Sequence, residues 1–216
     1  MITIQEEFNA AIQEIVPAKY RDVRLSQLAP SEKSRLPLAD QAALYAELLA
    51  NPERGWAFFA PAGFSKTTCS YALYRYALGT NMKLSYRTGK QEFIYGNGDR
   101  IVPHWYVWRK SVPDLLQQLF ARMDDDNAPL PDISVEKIER AVRDGFVPRV
   151  FLEEIDKIKP SDYAVNQLFR ILDALDRHKG QLVLDTNLSR QQFLDTFGEP
   201  IYRRVKENCI VKEYGF

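Results

Sequence analysis

The sequence is poor in cysteine and carries no excess of charge of either sign. Its 2 cysteines, Cys69 and Cys209, lie far apart and lack the spacing of metal ligands. Both have apolar neighbours, which favours buried free thiols over a disulfide and fits a cytoplasmic protein. Because 29 basic side chains balance 29 acidic ones, the composition excludes a protein that coats nucleic acid through a general positive charge. A local basic patch remains compatible with it.

Long apolar runs and repeats are also missing from the sequence. No apolar stretch approaches the ~20 residues of a membrane-spanning helix. The N-terminal residues MITIQEEFNAAIQEIV are amphipathic and acidic rather than basic and then apolar, so we expect neither a signal peptide nor a membrane partner. With 45% hydrophobic and 27% charged residues, the composition is typical of a globular domain with its own core.

Apolar spacing predicts helices that alternate with short buried strands. Trp56 to Phe59 form a fully apolar run, as expected for a buried parallel strand. Residues 83–109 alternate and contain Asn97-Gly98, which predicts strands joined by hairpin turns. The predicted helices cover 3–15, 40–50, 66–77, 135–142, 164–175, 190–197 and 200–205, with another capped by Ser111 or Asp114, and the other predicted strands cover 150–152, 181–184 and 209–214. This alternation predicts an α/β three-layer sandwich with a mostly parallel sheet.

The segment from Ala60 to Thr68, APAGFSKTT, has most features of a phosphate-binding loop. The usual pattern is G-x-x-x-x-G-K-[ST], in which lysine reaches the β- and γ-phosphates and the hydroxyl ligates Mg²⁺. Lys66 and Thr67 match this pattern, whereas Ala60 and Ser65 replace its two glycines. Backbone N–H groups at a helix N-terminus bind anions, and here they belong to Gly63, Phe64, Ser65, Lys66, Thr67 and Thr68. The alternative is an ordinary strand-to-helix turn, since alanine and serine resist a positive φ.

Polar residues also follow two later strands. Glu153 and Glu154 come after an apolar run, which suits one carboxylate beside Mg²⁺ (Glu153) and one that orients an attacking water (Glu154). Glu153 is one methylene longer than the usual aspartate, and a solvated acidic turn is the alternative. Asn187 follows the next strand and either holds the water or the γ-phosphate, or caps the following helix.

An arginine pair, Arg203-Arg204, lies in a late predicted helix. One of these arginines could stabilise charge on a phosphate bound by a neighbouring subunit, or the pair could form a solvated basic face. Ligands of open parallel sheets gather at the carboxyl ends of the strands. We therefore expect the loop, the acid pair, Asn187 and the arginines to converge.

In these motifs the chain resembles AAA+ ATPases of the DnaC/IstB type, which are helicase loaders and transposase helper ATPases. The similarity spans about residues 16–214. Beside the phosphate loop, it is carried by Val16-Pro-Ala-Lys-Tyr-Arg-Asp22, Val107-Trp-Arg-Lys-Ser-Val-Pro-Asp-Leu-Leu116, Leu152-Glu-Glu-Ile-Asp-Lys157, Thr186-Asn-Leu-Ser189 and Gly198-Glu-Pro-Ile-Tyr-Arg-Arg-Val205.

The resemblance implies a P-loop NTPase core of the AAA+ type over residues 31–216, without a C-terminal lid. An N-terminal helix and leading segment over residues 1–30 precede it. ATP and Mg²⁺ would bind at the loop, with Tyr20 and Arg21 beside the nucleotide and Arg204 as the arginine finger. The resemblance further implies a homo-oligomer that forms on ATP binding and remodels a DNA-bound protein machine. Its partner would be a replicative helicase or a transposase-like protein, and contact with DNA is left open.

Several departures keep other interpretations open. Ala60, Ser65 and Glu153 together are also typical of a pseudo-ATPase, a scaffold or adaptor of the same fold with little hydrolysis. A P-loop small-molecule kinase fits less well, because we find no basic lid. Residues 83–106 predict an added β-hairpin that contacts single-stranded nucleic acid or a partner protein, or is merely exposed; its basic and aromatic residues are Tyr86, Arg87, Lys90, Phe93, Tyr95 and Arg100.

Overall fold

The structure is a computed structural model that describes residues 4–88, 93–95, 101–103, 106–125 and 127–216. Its strands are β1 (Gly55–Phe59), β2 (Phe93–Tyr95), β3 (Ile101–Pro103), β4 (Val107–Ser111), β5 (Arg149–Glu153), β6 (Gln181–Thr186) and β7 (Cys209–Glu213). Its α-helices are α1 (Ile4–Ile15), α2 (Leu38–Ala50), α3 (Lys66–Thr88), α4 (Val112–Asp124), α5 (Val135–Arg143), α6 (Asp162–Arg177) and α7 (Arg190–Asn208). Short 3₁₀ turns cover Ala18–Tyr20, Leu25–Gln27 and Ile155–Lys157.

Five strands form one parallel sheet in the order β4-β5-β6-β1-β7. The side chains of β1 alternate between the two faces of this sheet: Trp56 and Phe58 pack with α1, α2 and α3, whereas Ala57 and Phe59 pack with helices α4 to α7. Both faces are therefore covered by helices, and the predicted three-layer α/β sandwich is confirmed. Because the strands are parallel, their carboxyl ends meet at one edge of the sheet.

Helix α1 belongs to the core on one face of the sheet. Phe8 and Ile12 are buried in the same apolar cluster as Trp56, and each such side chain stabilises the fold by about 1.5–3 kcal/mol. Cys69 of α3 on this face and Cys209 of β7 in the cluster on the opposite face are both buried free thiols, as predicted. Within the described residues, no helix has the length and apolar character needed to cross a membrane.

Helix α3 is longer than predicted. It continues to Thr88, so the prediction of a strand beginning at residue 83 is wrong. The alternation there is too short to override a helix already packed on α1. Gly79 within this helix costs only about 1 kcal/mol, and a Cβ added there would lie 3.7 Å from the Phe8 ring. Strands β2 and β3 do pair as an antiparallel hairpin inside the predicted insertion. Lys90, Arg100 and the predicted turns at 89 and 97–98 lie outside the described residues.

Helix α7 joins the two helices predicted over 190–197 and 200–205. Gly198 has φ 79° and ψ 165°, which bends the helix just before Pro200. Ser189 caps the first half in a capping box with Gln192. Ser111 caps α4 by accepting a hydrogen bond from the N–H of Asp114 at 3.3 Å, as one of the two predicted caps.

Candidate nucleotide-binding site

A cleft of about 1110 Å³ lies at the carboxyl ends of β1, β5 and β6. Its walls are the loop before α3, the segment 17–34 after α1, and the residues that follow β5 and β6. The cleft brings together most of the predicted site residues: Tyr20, Gly63, Phe64, Ser65, Lys66, Thr67, Thr68, Glu153, Glu154 and Asn187. Arg21 and Arg204 are placed elsewhere.

The loop before α3 keeps a tight turn despite its missing glycines. Gly63 has φ 93° and Ser65 has φ 60°, so Ser65 adopts the left-handed conformation that the second glycine of the pattern would adopt easily. This costs a non-glycine residue about 1–2 kcal/mol. Ala60 is fully buried, and its N–H donates to the Thr186 carbonyl at 3.3 Å. The two replacements are therefore accommodated without displacing Lys66 and Thr67 from the start of α3.

The side chain of Lys66 folds back onto the loop that precedes it. Its ammonium donates to the carbonyl of Ala60, to that of Pro61 at 2.8 Å, and to Asn187 Oδ1 at 3.0 Å. Burial lowers the pKa of Lys66, while Asp185 and Asp156 act in the opposite direction. A bound phosphate would offer this ammonium the same kind of acceptor that the loop carbonyls offer now.

Asp156 is a site residue that the sequence reasoning missed. Its carboxylate accepts from Asn187 N–H at 3.2 Å, Asn187 Nδ2 at 3.0 Å and Thr186 Oγ1 at 3.4 Å. The amide of Asn187 thus bridges Asp156 and Lys66. The signal was present in the sequence, since Asp156 lies in the same Leu152–Lys157 motif as the acid pair, on the 3₁₀ turn that follows β5.

The two predicted acids are both paired with cations. Glu154 has φ 60°, again left-handed, and its carboxylate is ion-paired with Lys157. Strained backbone of this kind clusters at functional sites. Glu153 Oε2 lies 2.5 Å from Arg109 Nη2. Arg109 was not predicted as a site residue, although a charged side chain that directly follows the apolar residues Val107 and Trp108 in β4 was a signal.

The surroundings of Glu153 favour pairing with Arg109 over direct binding of Mg²⁺. The Arg109 guanidinium contacts Oε2 of Glu153, which leaves Oε1 as the oxygen of this carboxylate that could approach a Mg²⁺ ion. In the described parts of the chain, no group of three or more His, Cys, Asp or Glu residues could hold a metal ion. Thr67, which lines the cleft, is the remaining predicted ligand.

Two tyrosines stack along one wall of the cleft. The rings of Tyr20 and Tyr71 lie 4.3 Å apart with 16° between their planes. The ammonium of Lys19 lies 4.7 Å from the Tyr20 ring centre, and the guanidinium carbon of Arg109 lies 3.8 Å from that of Tyr71. Cations placed over aromatic faces in this way stabilise the stack by about 0.5–2 kcal/mol each.

The structure gives Arg21 a role outside the cleft. Its guanidinium donates to the carbonyls of Gln13 at 2.6 Å and Val16 at 3.0 Å, at the end of α1. These are the carbonyls that a helix leaves without internal partners. Because these donors are engaged in terminating α1, the placement of Arg21 beside a nucleotide stays a prediction.

Arg204 likewise does not converge with the other predicted residues. It donates to Asp173 and Asp176 of α6, at 2.6 Å each, and its side chain is 21% exposed. The bend at Gly198 directs the second half of α7 along α6, which carries Arg204 away from the cleft of its own chain. Arg203 is the more exposed of the pair and lies 3.9 Å from Glu207.

Comparison with known proteins identifies solved structures with a similar architecture. No protein-family model matches the chain, and no curated protein matches it by sequence. Among solved structures, the DnaC helicase loader superposes with a TM-score of 0.59 at 15% identity, covering 90% of this chain and 98% of that one. The chain has the AAA+ fold of the DnaC helicase loader.

Further structures share this AAA+ fold. DnaA from Aquifex aeolicus, bound to AMPPCP, matches with a TM-score of 0.55 at 14% identity over 92% of this chain. The chain spans about half of that protein, with 51% of it covered. A candidate primosome component from Streptococcus pyogenes serotype M3 matches with a TM-score of 0.51 at 17% identity, covering 95% of this chain and 96% of the other.

Proposed function

We propose that this chain is a AAA+ protein of DNA replication that binds ATP in the cleft. The observation that carries the proposal is the contact of Lys66 Nζ with Asn187 Oδ1 at 3.0 Å, which joins the phosphate loop to the end of β6. A strand-to-helix turn without a ligand has no need of a lysine aimed back across the sheet edge. The AMPPCP bound to the DnaA structure of the same fold supports this reading.

Different residues around the cleft bind different parts of the nucleotide. Backbone N–H groups of residues 63–68 receive the phosphates at the start of α3. When nucleotide binds, the ammonium of Lys66 replaces its hydrogen bonds to the loop carbonyls with contacts to the β- and γ-phosphates. Thr67 is the side chain that reaches a Mg²⁺ ion carried by the nucleotide. Tyr20, already stacked on Tyr71, offers an aromatic surface to the base. Asn187 and Asp156 then lie on the side of the terminal phosphate.

The fold supports a partner in replication rather than in transposition. The DnaC helicase loader is covered over 98% of its length, which favours a replicative helicase as the protein on which this chain acts in the cytoplasm. We propose that ATP promotes self-assembly and that Arg203 or Arg204 faces the cleft of the neighbouring subunit. Contact with DNA, if it accompanies assembly, is local and salt-sensitive because the net charge is +0.

Titration of a fluorescent ATP analogue tests the proposal. Wild type should bind it, and Lys66→Ala should bind at least about tenfold more weakly, since it loses charge-assisted contacts to phosphate. Lys159→Ala, an exposed lysine outside the cleft, is the matched control and should bind as wild type does. Equal and negligible binding by wild type and Lys66→Ala would reject the proposal.

A pseudo-ATPase of the same fold is the second candidate function. The observation in its favour is that Glu153 and Glu154 are each ion-paired, with Arg109 and Lys157 respectively. Such a protein binds nucleotide but turns it over very slowly. Phosphate release measured at high protein concentration separates the two: turnover that falls in Glu154→Gln removes this candidate.

A further inference from the structure

Arg109 is held on several sides at the carboxyl end of the sheet. Nη2 contacts Glu153 Oε2 at 2.5 Å and Nη1 donates to Ser70 Oγ at 2.7 Å. Its guanidinium carbon lies 3.8 Å from the centre of the Tyr71 ring, and Asp185 Oδ2 is 3.8 Å from Nη2. The Arg109 side chain is only 6% exposed. Elements β4, β5, β6 and α3 therefore fix one buried cation between two carboxylates.

The arrangement is stable only while the charges balance. Removing one partner of a buried ion pair is strongly destabilising, because the other charge stays buried without compensation. Asp185 is 6% exposed, and its Oδ2 has no hydrogen-bond partner among the residues that the structure describes. Without Arg109, Glu153 and Asp185 would face each other as uncompensated acids at the edge where nucleotide-bound metal is expected.

We infer that Arg109 is an internal counter-cation that does here what a divalent metal ion would otherwise do for Glu153 and Asp185. With Arg109 between them, Glu153 and Asp185 carry a compensated charge and attract Mg²⁺ less strongly than a bare acid pair would. Nucleotide in this cleft is then held by the loop and by Lys66, with little dependence on Mg²⁺. The statement about nucleotide rests on the proposed function, whereas the pairing of Arg109 with the two acids does not.

Arginine suits this role better than lysine. Its planar guanidinium offers several N–H donors in fixed directions and stacks on an aromatic ring at the same time. Those are the contacts that Arg109 makes with Glu153, Ser70 and Tyr71. Arg109→Lys keeps the charge but not this geometry, so it separates the effect of charge from that of shape.

The experiment measures thermal unfolding with Mg²⁺ or with EDTA, in the absence of nucleotide. The Tm of wild type should shift by less than about 1 °C, because Arg109 already compensates the charge of the acid pair. Arg109→Gln should be less stable, and Mg²⁺ should raise its Tm by at least about 3 °C, since the ion compensates the unpaired carboxylates. Arg109→Lys should respond to Mg²⁺ as weakly as wild type.

Arg149→Gln is the matched control for loss of a buried arginine. Arg149 lies at the opposite end of β5, is 2% exposed, and donates to Gln181 Oε1 at 2.7 Å. Its replacement should lower the Tm without creating any response to Mg²⁺. A Mg²⁺ response in wild type as large as in Arg109→Gln, or none in Arg109→Gln beyond that of Arg149→Gln, would overturn the inference.

A second measurement titrates the fluorescent ATP analogue in the same two buffers. The dissociation constants of wild type should differ by less than about threefold, and those of Arg109→Gln by more than about tenfold. A wild type that loses binding tenfold in EDTA contradicts the inference even if Arg109→Gln fails to fold. If wild type binds no nucleotide in either buffer, the proposed function fails while thermal unfolding still decides the role of Arg109.

Discussion

The ammonium of Lys66 lies 3.0 Å from the side-chain oxygen of Asn187, although 121 residues separate them in the sequence. The amide nitrogen of the same Asn187 side chain donates to Asp156 at 3.0 Å. One amide thus connects the phosphate loop, the end of β6 and the turn after β5. This network, the loop beside it, the buried Asp185 and the arginine pair outside the cleft can each be tested by substitution.

Asp156→Ala should destabilise the protein by about 0.5–1.5 kcal/mol, the net contribution of hydrogen bonds whose donors can turn to water instead. The N–H and Nδ2 of Asn187 would both lose their acceptor. Urea unfolding measures the change, and Glu199→Ala, an exposed carboxylate on α7, should alter stability by less than about 0.5 kcal/mol. Equal losses in both variants would contradict the bridging role of Asp156.

Ser65→Gly should stabilise the chain by about 1 kcal/mol, because Ser65 adopts φ 60° and glycine enters this region without the steric penalty. Lys179→Gly, at φ 51° just after α6, is a control outside the cleft and should gain a similar amount. Chemical denaturation of both variants checks the loop conformation. Stabilisation by Lys179→Gly alone would show that Ser65 is not left-handed.

Asp185 should make stability depend on pH. Burial raises its pKa to about 6, with Arg109 opposing the shift and Glu153 adding to it. The folded state therefore holds this proton more tightly than the unfolded state. Its stabilising contribution is fully present below the ordinary pKa of about 4 and is lost as the pH rises through about 6.

The comparison of wild type with Asp185→Asn isolates this effect. The unfolding free energy of wild type relative to the variant should fall by about 3 kcal/mol between pH ~4 and pH ~7. Thr80→Ala removes a group that does not titrate, so its difference from wild type should stay constant over the same range. A flat difference for Asp185→Asn as well would show that this carboxyl is not buried as described.

Arg204→Ala should cost about 1–3 kcal/mol in the isolated subunit, because Asp173 and Asp176 lose their shared partner. Arg203→Ala removes a mostly exposed side chain and should cost less than about 0.5 kcal/mol. Urea unfolding without nucleotide separates the two. Sedimentation measures the extent of ATP-dependent assembly. If Arg203→Ala assembles less than wild type while its stability is unchanged, Arg203 rather than Arg204 faces the neighbouring subunit.

The order of most elements and the position of the cleft could be predicted from the sequence, because both depend on short local patterns of apolar and polar residues. Apolar runs in β1, β5 and β6 end in polar residues, and a parallel sheet gathers these ends at one edge. Lys66, Glu153, Glu154 and Asn187 therefore converge as expected. Asp156 lies in the same motif but was overlooked, because its role depends on which way the 3₁₀ turn carries its side chain.

The ion pairs of Arg109 and Arg204 could not be predicted from the sequence. Arg109 pairs with Glu153 only because β4 lies beside β5 in parallel register, a contact between residues 44 positions apart. Arg204 matches a motif, but the two acids that engage it, Asp173 and Asp176, come from α6, a separate helix. Motif spacing describes neighbours along the chain, whereas these ion pairs depend on packing between elements.

The burial of Cys69 one turn after the phosphate loop has a practical consequence. Burial raises the pKa of this thiol to about 12, so the folded protein holds almost no reactive thiolate at neutral pH. Cys69 packs in the apolar core, and its N–H bonds to the Ser65 carbonyl at 3.1 Å in the first turn of α3. Its rate of alkylation therefore reports how often the protein opens around this turn, either locally or by global unfolding.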